Sequence, residues 1–68
     1  MSARAFLDTL VPGAQVRVPT RSGVETGTVC AAVVYASRGP GPGDSRISVQ
    51  TTHGCVVYLA KHLPDWSS

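Results

Sequence analysis

From Gln15 onward polar and apolar residues alternate, and glycines punctuate the alternation. Successive side chains of a strand point to opposite faces, so a period of two marks a half-buried strand and fits no helix. Gln15-Val16-Arg17-Val18 reads this way and ends at Pro19, which lacks a ladder donor. Arg46 to Thr52 alternates again, with Ile47, Val49 and Thr51 on one face. Between them a run rich in Val and Thr, Val24 to Ala36, predicts a long second strand, with Gly27 marking a bulge or bend. The segment SRGPGPGDSR, Ser37 to Arg46, is too rich in glycine and proline to pair and is expected to be a loop. Cys55 to Ala60 supplies the last strand, and Lys61-His62-Leu63-Pro64 a short 3₁₀ turn. No internal repeat is evident.

Ahead of the strands the period differs. Ser2 is a fair N-cap, and Ala3, Phe6, Leu7 and Leu10 fall on one helical face. Arg4 and Asp8 lie four apart and are placed to pair, and Pro12-Gly13 stops the helix. At about two turns such a helix does not persist alone, so its apolar face must dock. The chain is therefore expected to be one domain: residues 1–11 form a helix packed on a barrel formed by 12–68. The expected class is all-β, an antiparallel barrel of about four or five strands with a short N-terminal helix.

The last strand has a further property. If the turn before it is His53-Gly54, Ile47 and Val49 share a face with Val56, Tyr58 and Ala60. If it has three residues ending in Gly54, they share a face with Cys55, Val57 and Leu59. Either way the strand is apolar on both faces, and the Val24–Ala36 run has the same character. A barrel has one interior, so the second face awaits cover from the helix, another chain, or both.

Composition narrows the class of function. Hydrophobic residues make up 43% of 68 and charged ones only 15%, which argues against disorder and leaves a neutral surface suited to an interface. Net charge is +2, and five of the six basic residues are arginines (Arg4, Arg17, Arg21, Arg38 and Arg46), Lys61 being the sixth. Arginine suits bidentate contact with phosphate, but a dedicated nucleic-acid binder shows a denser basic stripe. The start of the chain lacks the apolar run of a signal peptide, and no stretch approaches the ~20 apolar residues of a membrane span. The reading is cytoplasmic, with Cys30 and Cys55 as reduced structural thiols. A disulfide between them is conceivable across neighbouring strands, but such a compartment disfavours it.

The segment TRSGVETGTV, Thr20 to Val29, resembles a phosphate cradle only in its glycines, because β texture rather than a helix follows it. It reads as a turn at Ser22-Gly23 feeding a strand bent at Gly27, with Arg21 at the tip. Cys30, His53, Cys55 and His62 show neither a CxxC nor a helical pair of histidines, so no metal site is expected. Asp8, Glu25, Asp44 and Asp65 are scattered, which predicts no catalytic residues, no cofactor and no enzyme. Phe6 is expected to anchor the helix, and Trp66 to fold back as a lid. Tyr35 or Tyr58, if exposed beside Arg17, Arg38 or Arg46, would form the aromatic and basic surface on which single strands stack.

The pattern Val16-x-Val18, Gly23, Gly27-Thr28-Val29 resembles the first hairpin of SH3-like barrels such as KOW and Tudor-type modules, over roughly Pro12 to Pro64. The resemblance implies a binding module for nucleic acid or protein. A looser resemblance, through VRVPTRSGVETGTV and GCVVYLAKHL, is to the plasmid-borne trimethoprim-resistant dihydrofolate reductases, which are tetrameric barrels. In that family a Val-Gln-Ile-Tyr run and a lysine do the work. The matching positions hold Val56-Val57-Tyr58-Leu59 and Thr20, so the resemblance implies oligomerisation more than reduction. Two functions are carried forward. One is an accessory nucleic-acid-binding module using Arg17, Arg21, Arg38, Arg46, Tyr35 and Tyr58. The other is a protein-interaction or homo-oligomerising module with Val57, Leu59 and Phe6 at the interface. No membrane partner is expected.

Overall fold

The computed structural model describes residues 3–36 and 41–66. Helix α1 spans Ala3–Asp8, and four strands follow: β1 Gln15–Thr20, β2 Gly23–Val29, β3 Arg46–Thr51 and β4 Gly54–Leu59. They form one antiparallel sheet in the order β1-β2-β3-β4. Short 3₁₀ turns at Pro42–Asp44 and Ala60–His62 flank the last hairpin. The expected all-β class with a short N-terminal helix is the observed one.

Alternation does what it promised. Val16 and Val18 of β1, Val29 of β2, and Ile47 and Val49 of β3 all point inward and are buried. Leu7 and Leu10 of α1, together with Ala60 and Leu63, complete the same core. The helix therefore plugs the interior and does not cover the outer face of the sheet. Phe6 and Trp66 close one end, their rings edge to face at 6.3 Å, so Trp66 is the lid that was expected.

The long second strand is not observed. β2 ends at Val29, and Cys30 still donates its N–H to the Ser48 carbonyl. The chain rejoins β3 at Val34, which exchanges both backbone bonds with Arg46. Continuing the Val29↔Val49 register would bring Ala32 opposite Arg46, so the excursion inserts two extra residues. A Val-rich run has strand propensity throughout, yet the pairing with β3 is interrupted between Cys30 and Val34 although β3 continues to Arg46. Val33 packs on the core from this bulge, while Val34 and Tyr35 are exposed.

Gly27 also has a different reason from the one expected. The β1–β2 register runs unbroken through it, opposite Val16, so it is no bulge. A Cβ there would meet Val49 Cγ1 at 2.4 Å and the Gln50 carbonyl oxygen at 2.8 Å. β3 packs directly onto the bare backbone.

The two hairpin turns are copies of one another. The first is Thr20-Arg21-Ser22-Gly23, one residue earlier than the Ser22-Gly23 turn expected, and the second is Thr51-Thr52-His53-Gly54. In each, the glycine takes a positive φ (106° and 99°) while the three residues before it do not, the arrangement of a type I turn closed by glycine. In each, the threonine Oγ1 accepts the N–H two residues on and donates to the glycine carbonyl. The tips touch, Ser22 Oγ lying 3.5 Å from His53 Nε2. Glu25 ties them further by accepting both the N–H and the hydroxyl of Thr52. The Thr52-His53 turn puts Val56 opposite Val49 and Tyr58 opposite Ile47, which leaves Cys55, Val57 and Leu59 on the outer face.

Candidate binding surface

Strand parity decides which backbone groups are free. Cys30 donates to Ser48, and Arg46 pairs with Val34, so the even-numbered residues of β3 turn their backbone groups toward β2. Its odd-numbered residues then face β4, and their opposites Gly54, Val56 and Tyr58 carry the β3–β4 ladder. Cys55, Val57 and Leu59 therefore aim their N–H and C=O groups away from the sheet, along an edge that pairs with no strand among the described residues. Their side chains line the outer face beside that edge: Cys55 is exposed, Val57 is 59% exposed, and Leu59 is half-buried. Val57 and Leu59, two of the expected interface residues, thus stand together. Phe6 does not join them; it lies at the end closed by Trp66.

The opposite edge belongs to β1. Val29 donates to the Ala14 carbonyl, which turns the even-numbered residues of β1 toward β2 and leaves Gln15, Arg17 and Pro19 on the rim. Pro19 has no N–H to offer. Arg17 is held by Asp65 through two bonds, Nε to Oδ2 at 3.2 Å and a closer contact from Nη2 to Oδ1. The guanidinium keeps the Asp65 carboxyl below the ordinary aspartate range, first through the hydrogen bond and then through its charge. Beneath this pair a shallow groove of about 280 Å³ runs between α1 and β1, with Phe6, Leu10 and Val16 as its apolar floor.

The arginines expected to meet nucleic acid are dispersed. Arg21 is exposed in the first turn, Arg17 is engaged by Asp65, and Arg46 is exposed at the start of β3. Six strand positions separate the rows of Arg17 and Arg46, ~20 Å along the sheet. Arg38 and the side chain of Arg4 lie outside the described residues, and the expected Arg4–Asp8 pair with them. Tyr58 packs half-buried against the core, while Tyr35 is 38% exposed and donates its hydroxyl to Asp8 at 2.9 Å.

Each described carboxylate has a separate tie: Asp8 to Tyr35, Glu25 to Thr52, Asp44 to Lys61, and Asp65 to Arg17. Thr52 lowers the Glu25 pKa, its backbone N–H contributing most. Cys30 and Cys55 are exposed rather than packed as structural thiols, with their Sγ atoms 3.5 Å apart. Hydrogen bonding to Cys55 pushes the Cys30 thiol up. Among the described residues no three His, Cys, Asp or Glu side chains gather as a metal cluster, and no helix is long and apolar enough to cross a membrane.

Neither a family model, nor a characterised protein, nor a solved structure matches this chain. Any functional reading therefore starts from the geometry of its two edges.

Proposed function

We propose that this chain is a small non-catalytic module of SH3-like type that binds protein by accepting a partner strand along the free edge of β4. One observation carries the reading: Cys55, Val57 and Leu59 offer unpaired backbone groups beside an apolar, partly exposed row of side chains. Backbone pairing supplies affinity in strand addition, and the alternate side chains supply specificity. Soluble proteins blunt such edges with charge, proline or a bulge, and β4 has none of these.

A second copy of the chain is the simplest partner. Sedimentation over a range of concentrations, with Val57→Lys as the control, tests this. The reading predicts self-association that the lysine weakens at least tenfold, by analogy with the charged gatekeepers of natural edges. Failure to self-associate, together with failure to retain any strand peptide from a displayed library, overturns it.

Nucleic-acid binding stands second, supported by the exposed Arg21 and Arg46. Its signature is salt-dependent binding of oligonucleotides that Arg21→Ala weakens. Binding without salt dependence would remove it.

A further inference from the structure

Cys30 and Cys55 lie 25 residues apart in sequence, yet their sulfurs are 3.5 Å apart on the outer face. Cys30 is the first residue past β2, and Cys55 is in β4 opposite Gln50, so the two reach toward each other across β3. We propose that Cys30 and Cys55 form a two-thiolate pincer for a soft metal ion of the monovalent copper class, spanning the outer face of β3.

The bite favours a metal over a disulfide. Two metal–sulfur bonds of ~2.3 Å, opened at tetrahedral to trigonal angles, place their sulfurs about 3.8 to 4 Å apart. The thiols are within a few tenths of an ångström of that spacing, which side-chain rotation supplies. A disulfide needs sulfurs at ~2.05 Å and Cα atoms no more than roughly 6.8 Å apart. Cys30 and Cys55 flank β3 and do not lie on paired strands, so a disulfide between them would have to span a whole strand.

The donor set selects the ion. Thiolates favour soft ions such as monovalent copper. A closed structural zinc site needs four ligands, and no cluster of three or more candidate ligands exists among the described residues. Two thiolates satisfy an ion that accepts low coordination and leave a position open to a small exogenous thiol. As the ion binds, both thiols release their protons to solvent while two sulfur–metal bonds form. No electron changes hands. Exposure of both cysteines gives the ion direct entry.

The test uses the reduced full-length chain under anaerobic conditions, with monovalent copper competed against a chromophoric chelator. One copper per chain is expected. Cys30→Ser and Cys55→Ser should each lower its affinity ~100-fold or more, since even residues behind a ligand are worth 10–100-fold. Far-UV circular dichroism confirms that both variants stay folded. Equal affinity in wild type and single-serine variants overturns the pincer, as does one copper bridging two chains. Glutathione disulfide provides an independent check: rapid conversion of the wild type to an intramolecular disulfide would show that the backbones close further than the pincer geometry allows.

Discussion

The two edges of this sheet are built by opposite rules. β1 ends the sheet with Gln15, Arg17 and Pro19: a polar residue, a charge held in place by Asp65, and a residue without a donor. β4 ends it with Cys55, Val57 and Leu59, which carry no charge and retain every donor. Both strands have six residues, and each is joined to its neighbour by the same kind of Thr-x-x-Gly turn, so length and connection do not explain the difference. Charge and proline at an edge hinder pairing with another strand, so β1 carries the protection that β4 lacks.

The largest way to break the comparison is to remove the packing that gives the sheet its two ends. Gly27→Ala sets a methyl group against Val49 Cγ1 and the Gln50 carbonyl, and the backbone oxygen cannot rotate away. A loss of about 2–3 kcal/mol is expected, read by chemical denaturation, because overpacking at a fixed backbone carries that cost. Ala at an exposed strand position such as Thr26 should change little. A near-neutral Gly27→Ala would mean that β3 does not press on β2.

Guarding the open edge is the second test. Val57→Lys gives β4 the kind of charge that β1 already has, without touching the β3–β4 ladder. Self-association should fall at least tenfold while the thermal midpoint of the monomer stays within a degree or two, as expected for an exposed position.

Unguarding the closed edge is subtler. Arg17 holds the Asp65 pKa down, and Thr52 holds the Glu25 pKa down. A carboxylate with a depressed folded pKa contributes stability that is fully present above its unfolded value and is lost as pH falls through the folded one. Both contributions should therefore be intact at neutral pH and fade below the ordinary values of 3.8 for aspartate and 4.5 for glutamate. Asp65→Asn should remove part of the acid transition at low salt, and less of it at high salt, because exposed ion pairs are screened. Glu25→Gln should remove a part that salt alters little, since hydrogen bonds from Thr52 dominate there.

Hydrogen exchange gives the smallest signal and the most direct view. In the dilute monomer the amides of Cys55, Val57 and Leu59 should exchange as fast as those of Gln15 and Arg17, while Val56 and Tyr58 are protected. As concentration rises, only the β4 set should gain protection. Equal behaviour at both edges would erase the distinction.

Much of the architecture was legible in residue order. Period-two alternation marked β1 and β3, and the apolar spacing of Phe6, Leu7 and Leu10 marked α1; of the glycine- and proline-rich segment expected to be a loop, Pro42–Asp44 is a 3₁₀ turn, Arg46 already begins β3, and 37–40 lie outside the described residues. The end of β2 was not legible, because Val and Ala favour a strand equally before and after Cys30. The likeness of the two turns was written in Val-x-Thr-x-x-Gly at Val18 and Val49, but the hydrogen bonds of the threonines were needed to show that the match is structural. Within the candidate surface, Val57 and Leu59 stood out from the doubly apolar strand. The juxtaposition of Cys30 with Cys55 was conceivable from strand order, but the 3.5 Å between their sulfurs follows from how two side chains lean across β3.

Sequence alone determined which residues of β1 and β3 turn inward, because the strand period links chemistry to face without reference to the rest of the chain. It also marked Gly23 and Gly54 as the residues at which the hairpins close, since glycine takes the positive φ on which each ends, while pairing fixed the turn positions. Tertiary structure decided which strands lie at the edges, which arginine is neutralised, and which thiols meet. Those outcomes depend on pairing order and on contacts between distant segments, such as Arg17 with Asp65, that no local pattern encodes.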